Sequence, residues 1–127
     1  MICGTGIDII EIDRIRRAVE RHPNFLYKHF TEVENLYFVS KKNNPQSIAG
    51  YFATKEAVSK ALGTGFRFFR FTDIEIEKDS FNKPSINLYG NAKKIAQEKN
   101  IVNILLSISH CKEYAVANAI AIAERLG

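Results

Sequence analysis

Phe52-Ala53-Thr54-Lys55-Glu56-Ala57-Val58-Ser59-Lys60-Ala61-Leu62-Gly63-Thr64-Gly65 reads as the end of a helix running into a glycine turn. Ala, Leu, Lys and Glu are good helix formers. Pro45 suits a first helical turn, and Gly63 suits the left-handed residue just past the end. The spacing therefore predicts a helix over about 45–62. At ~100° per residue, Lys55, Glu56, Ser59, Lys60 and Gly63 fall within an arc of roughly 140°. Phe52, Ile48 and Ala49 project into the same arc, so charged and apolar groups share one face. Two readings fit this helix. One is a solvated Glu56–Lys60 pair at i,i+4, a common surface device. The other is a site: a carboxylate for a metal, lysines for phosphate and a Gly-Thr-Gly turn beside them.

A second carboxylate bears on that choice. Residues 2–10 read as a strand entering a helix, with Cys3, Thr5, Ile7 and Ile9 on one face. Gly4, Gly6, Asp8 and Ile10 lie on the other. A carboxylate in the middle of Gly-Ile-Asp-Ile-Ile costs free energy unless it is paired or metal-bound. The two glycines preceding it leave room for a ligand or another backbone. Asp8 is therefore either a site residue or an ion-pair partner of a nearby Arg or Lys.

Working outward, Asp13 is placed to cap a helix to about Arg21. Ile15, Ala18 and Val19 form its apolar stripe, and Arg16 is placed to pair with Glu20. Arg14, Arg17 and Arg21 share another face, either solvated or gripping an acidic helix or a phosphate backbone. Thr31-Glu32-Val33-Glu34 has the capping-box form and opens a helix to about Ser40. Phe66-Arg67-Phe68-Phe69-Arg70-Phe71 is basic and aromatic, a mixture that stacks bases or buries rings in a sheet. Strands are predicted over 72–77, 85–89, 102–110 and 114–123, with a helix over about 91–99. The last two strands are expected to pair antiparallel. The fold class is α+β, a largely antiparallel sheet with helices packed on it, in one domain spanning 1–127.

The net charge of +4 and pI of about 9.1 favour an acidic partner. Two cysteines, Cys3 and Cys111, make neither a disulfide framework nor a zinc spacing. They are expected as small buried hydrophobes in a reducing compartment. No apolar run is long enough to span a membrane, and the N-terminus lacks a signal-peptide layout. The expectation is a cytoplasmic protein without a membrane partner.

Gly6-Ile7-Asp8-Ile9-Ile10-Glu11-Ile12 with Arg14-Ile15 resembles the opening signature of the holo-acyl-carrier-protein synthases, the short bacterial 4′-phosphopantetheinyl transferases. The stretch Phe52–Gly65 is similar to their second signature. Lys83-Pro84 and Ser107-Ile108-Ser109-His110 resemble later landmarks in the expected order. The resemblance covers nearly the whole chain. It departs at Asn82, where the family pattern has glycine.

The resemblance implies transfer of the phosphopantetheine arm of coenzyme A to a serine of apo-acyl carrier protein, for fatty acid biosynthesis, releasing adenosine 3′,5′-bisphosphate. It implies Mg²⁺ held by Asp8 and Glu56, a donor set that suits an ion keeping several waters and sharing substrate phosphates. It implies Lys60 on the diphosphate, with Lys55, Gly63, Lys83, Pro84 and His110 as further coenzyme A contacts. For His110 a structural hydrogen bond closing its strand is an equal reading. The serine proton is open to Glu56 or to a metal-bound water, the water being favoured because a carboxylate holding Mg²⁺ is a weak base. Arg14, Arg17 and Arg21 are then a docking face for the acidic carrier. The resemblance also implies a homotrimer with active sites between subunits, Asp8 and Glu56 coming from different chains. Two other classes compete. A nucleic-acid-binding module would use the arginines and the 66–71 run, but leaves Asp8 and Glu56 unexplained. A non-catalytic trimeric scaffold would have no use for the two carboxylates.

Overall fold

The computed structural model describes residues 1–124. The chain opens with strand β1 (Ile2–Glu11) and passes directly into helix α1 (Ile12–Arg21). Short α2 (Phe25–His29), α3 (Glu32–Ser40) and the long α4 (Pro45–Ala61) follow. Two single 3₁₀ turns, Gly65–Arg67 and Phe71–Asp73, lead to the hairpin of β2 (Ile74–Lys78) and β3 (Pro84–Leu88). Helix α5 (Gly90–Glu98) then precedes the hairpin of β4 (Ile101–His110) and β5 (Tyr114–Ala123). The fold is α+β, and the expected antiparallel sheet is two sheets: β1-β5-β4, and β2-β3 alone.

Helix α4 lies across the inner face of the three-stranded sheet, and small residues set how low it lies. In β1 that face carries Gly4, Gly6 and Asp8, opposite Ala121, Ala119 and Ala117 of β5. The three alanines are buried against Ala53, Ala57, Val58 and Ala61 of α4. A methyl group at Gly6 would overlap the Ala57 carbonyl oxygen, and one at Gly4 that of Ala61. The helix backbone thus rests on the strand backbone, and Asp8, two residues on, is carried up beside α4.

A second core forms where α1, α3 and α4 meet, around Ile15, Phe30, Phe38, Ile48 and Tyr51. The Thr31–Glu34 capping box is present, with Thr31 N–H donating to Glu34 Oε1 at 2.9 Å and Glu34 N–H to Thr31 Oγ1 at 3.3 Å. Several local expectations are corrected. Asp13 does not cap α1. It sits in the first turn, where its carboxylate pairs with Arg16 and, at 3.1 Å, with Arg17. Arg16 therefore turns to Asp13 and not to Glu20, a choice that also places the acid at the positive end of the helix dipole. Cys3 and Cys111 are exposed, one on the outer face of β1 and the other in the tight turn between β4 and β5. The 66–71 run forms no strand. Phe66 stacks on Phe71 with ring centroids 3.9 Å apart, Phe71 on Phe52 at 5.2 Å, and Phe69 is buried. Only Phe68 of this run presents a large exposed ring. Glu75 is buried in β2, where the Tyr89 hydroxyl donates to it at 3.1 Å.

Candidate active site

Asp8 and Glu56 meet in one chain. They line a single cleft of about 660 Å³, together with Arg14, His22, Phe25 and Phe52. This corrects the expectation that the two carboxylates come from different chains. The reason is the glycine contact described above, which brings β1 and α4 of the same chain together. Burial pushes the half-buried Glu56 carboxyl up, and the nearby Asp8 charge pushes it further, against the Lys60 ammonium. A carboxylate held up by a second carboxylate in this way favours a cation between the two.

Lys60, one turn beyond Glu56, crosses to β1. Its Nζ donates to the Ile7 carbonyl at 3.0 Å and lies 3.3 Å from Asp8 Oδ1. The Asp8, Glu56 and Lys60 side chains thus form one charged cluster at the junction of α4 and β1. Among the described residues no group of three or more His, Cys, Asp or Glu side chains gathers into a metal cage. Two carboxylates suit Mg²⁺, which binds through one or two of them and fills its octahedron with water and phosphate oxygens.

Lys55 departs from the expectation of a phosphate contact. Its side chain is fully buried, and all three ammonium donors are taken: Glu34 Oε1 at 2.6 Å, the His29 carbonyl at 3.0 Å and the Phe71 carbonyl at 3.0 Å. Glu34 in turn accepts from Ile76 N–H at 2.8 Å through its other oxygen. Burial pushes the Glu34 carboxyl up and the Lys55 ammonium down, and each opposes the shift of the other. Lys55 therefore pins α2 and the second 3₁₀ turn to α4.

The remaining expected contacts do not line this cleft. Gly63 takes φ 87° just after α4, as a helix-ending glycine does, and Lys99 Nζ donates to the neighbouring Leu62 carbonyl at 2.5 Å. Lys83 and Pro84 stand at the β2–β3 turn, and His110 is exposed at the end of β4. Asn82 has φ 63°, a left-handed conformation that glycine adopts freely and asparagine tolerates. Asp79 supports the turn by accepting from Phe81 N–H at 2.8 Å and Lys83 N–H at 2.9 Å. The glycine-to-asparagine departure therefore keeps a loop of the required backbone sense.

Of the arginines, Arg14 faces the cleft, Arg17 is paired with Asp13, and Arg21 is exposed at the last turn of α1. The aromatic wall of Phe25 and Phe52 escaped the sequence reading as part of a site. Its signal was the i,i+4 line Phe52–Glu56–Lys60 on α4.

The sequence model of the 4′-phosphopantetheinyl transferase superfamily matches residues 4–119. The chain is 58% identical over 121 residues to a holo-[acyl-carrier-protein] synthase of Alkaliphilus metalliredigens, covering 95% of this chain and 99% of that one. Its fold is similar to the acyl carrier protein synthase of Plasmodium yoelii with ADP bound, at TM-score 0.89 and 37% identity, covering 98% of both chains. It is also similar to the Helicobacter pylori holo-[acyl-carrier-protein] synthase in complex with coenzyme A, at TM-score 0.83 and 38% identity, covering 93% of this chain and 99% of that one.

Proposed function

Because the chain belongs to the 4′-phosphopantetheinyl transferase superfamily, we propose that the Asp8–Glu56 cleft, with Lys60 beside it, is where it transfers phosphopantetheine, with Mg²⁺ as its metal. The reaction moves the phosphopantetheine of coenzyme A to a serine of apo-acyl carrier protein. The serine oxygen bonds to the phosphorus bearing the pantetheine arm, and the bond from that phosphorus to the bridging oxygen breaks. Adenosine 3′,5′-bisphosphate leaves with the electron pair.

The observation that carries the reading is the meeting of Asp8 and Glu56 in one cleft, with the Lys60 ammonium 3.3 Å from Asp8. Asp8 and Glu56 would hold Mg²⁺, which when bound supplies positive charge to a diphosphate under attack. Lys60 adds a mobile cation for the leaving phosphate. Glu56, holding Mg²⁺, would be only a weak base for the serine proton. Arg14 at the cleft mouth and Arg21 beyond it give an acidic carrier a path along α1 to these groups. Phe25 and Phe52 offer apolar surface on the same wall.

The site is read as completed by neighbouring copies in a homotrimer. The outer face of the three-stranded sheet supports this: Ile7 and Ile9 are each 64% exposed and Leu105 is 49% exposed, with Val116 and Ile120 between them. That face borders Lys60 and Asp8. Lys83, Pro84 and His110 would then meet coenzyme A from a second chain. No helix among the described residues is long and apolar enough to cross a membrane, and a cytoplasmic setting fits an enzyme serving fatty acid biosynthesis.

The test mixes the protein with coenzyme A, Mg²⁺ and apo-acyl carrier protein and weighs the carrier. A phosphopantetheine mass gain that EDTA abolishes is expected. Asp8→Asn and Glu56→Gln should each slow turnover by about 100-fold or more, since a single well-placed charge stabiliser is worth that much. Full activity after exhaustive chelation would remove the metal from the reading. Near-normal rates in either folded variant would reassign the ligands.

A further inference from the structure

Lys60 is held by the carboxylate that the metal reading also requires. Its ammonium sits 3.3 Å from Asp8 Oδ1 and donates to the Ile7 carbonyl at 3.0 Å, so both acceptors lie on β1. The Asp8 side chain is 20% exposed and that of Lys60 51%. The anchored partner is thus Asp8, and the free-moving one is the lysine stem. Glu56 makes no ion pair among the described residues, although its carboxyl feels both neighbours. In this arrangement a single positive charge serves two carboxylates and touches only one.

A divalent cation drawing on Asp8 and Glu56 binds the carboxylate that Lys60 faces, and its charge repels the ammonium at contact range. We propose that Lys60 is an exchangeable occupant of the metal site. It neutralises Asp8 until a divalent ion displaces it, and only then is its ammonium free for the diphosphate. This rests on the reading of Asp8 and Glu56 as metal ligands. Lys60 weakens metal binding to the free protein, and a diphosphate that draws it away from Asp8 strengthens metal binding. By linkage, metal and coenzyme A each raise the affinity for the other.

The probe is Mn²⁺ alone, titrated into the full-length protein and followed by electron paramagnetic resonance. Lys60→Met should bind Mn²⁺ about fivefold tighter than wild type, the scale of one half-exposed ion pair. Arg14→Gln removes a charge from the same cleft without breaking a contact to Asp8, and should change the affinity less than about twofold. Asp8→Asn should abolish the tight phase. In a second measurement, Mg²⁺ without coenzyme A should raise the acylation rate of the Lys60 amine, read by peptide mass spectrometry. If Lys60→Met binds no tighter while Asp8→Asn still loses the site, the exchange is wrong and the metal site stands. If Arg14→Gln gains as much as Lys60→Met, net charge and not the contact governs, and the exchange is again wrong. If Asp8→Asn binds Mn²⁺ like wild type, the ligand assignment itself falls, and the exchange with it. Unchanged Lys60 labelling on adding Mg²⁺ likewise overturns the displacement.

Discussion

His29 donates its Nδ1–H to the Phe25 carbonyl at 2.9 Å and packs against Phe25, Phe52 and Phe71. Burial pulls the imidazole below its ordinary value of 6.5; the Phe25 carbonyl opposes this, while the Lys28 and Lys55 charges add to it. The folded state therefore prefers the neutral ring. As pH falls below 6.5, the unfolded chain takes up a proton that the folded chain refuses until its own, lower value is reached. Stability from this residue is full above 6.5 and declines through the window beneath it. Thermal melts from pH 7.5 to 5 should show a decline in the wild type that is shallower in His29→Asn, which keeps a donor near the Phe25 carbonyl but cannot titrate there. An equal acid slope in the variant would place the sensitivity elsewhere. At this scale the sequence singled out Asp8 and Glu56, which the structure brings into one cleft, because a carboxylate on a glycine-lined strand and one on a mixed helix face both look out of place. It was not legible for Lys55 against Lys60. Both are lysines on one helix, and only the packing of Glu34 against Lys55 from a distant part of the sequence shows that one is interior and the other half-exposed.

The junction of β1 with α4 is the element contact on which the site depends. Gly6→Ala would push the strand against the Ala57 carbonyl, which is backbone and cannot rotate away. An overpacked core position costs about 1–3 kcal/mol, so the denaturant midpoint should fall correspondingly. Because Asp8 follows two residues later, turnover should fall more than stability alone explains. A Gly6→Ala protein with wild-type stability and rate would mean that the strand has slack. The helix bounds of α4, the capping box of α3 and the pairing of β4 with β5 were all legible, since each carries its own local signal: Pro at N1, Thr-x-x-Glu, and alternation. Helix α2 was not, because five residues are too few to show a period. The 66–71 run misled for a different reason, since its rings are organised by stacking on α4 and on each other. On α1 the three arginines are now unequal. Arg17 shares Asp13 with Arg16, whereas Arg14 faces the cleft and Arg21 is exposed. Arg14→Ala and Arg21→Ala should raise the carrier KM, each by about 1 kcal/mol or roughly fivefold at low salt. Arg14 should matter most and Arg17 least. Added salt should narrow the gap to wild type, and unchanged carrier binding in both variants would reduce the stripe to solvated surface.

The molecule as a whole is two-sided. The inner face of the β1-β5-β4 sheet is filled by α4, whereas Ile7, Ile9 and Leu105 on the outer face remain open to water. A sheet needs cover on an apolar face, and among the described residues nothing supplies it: α5 packs with the inner core through Ala92 and Ala96. The sequence showed this face as the Cys3-Thr5-Ile7-Ile9 alternation, but period-2 patterning does not say whether a face is covered by its own chain or by another. This is why assembly entered only through family resemblance, and why Lys83, Pro84 and His110 find no place in the cleft of one chain. Ile9→Lys puts a charge opposite Val116 on that face. It should shift the protein to monomer in sedimentation velocity, because burying an unpaired ammonium costs more than one contact returns. Carrier modification should fall with the population of the proposed trimer and recover when protein concentration is raised. Val39→Lys, at a residue 65% exposed on α3, should alter neither. A monomeric Ile9→Lys protein that turns over coenzyme A at the wild-type rate would show that one chain suffices, and Lys83, Pro84 and His110 would lose their proposed role in the neighbour's site.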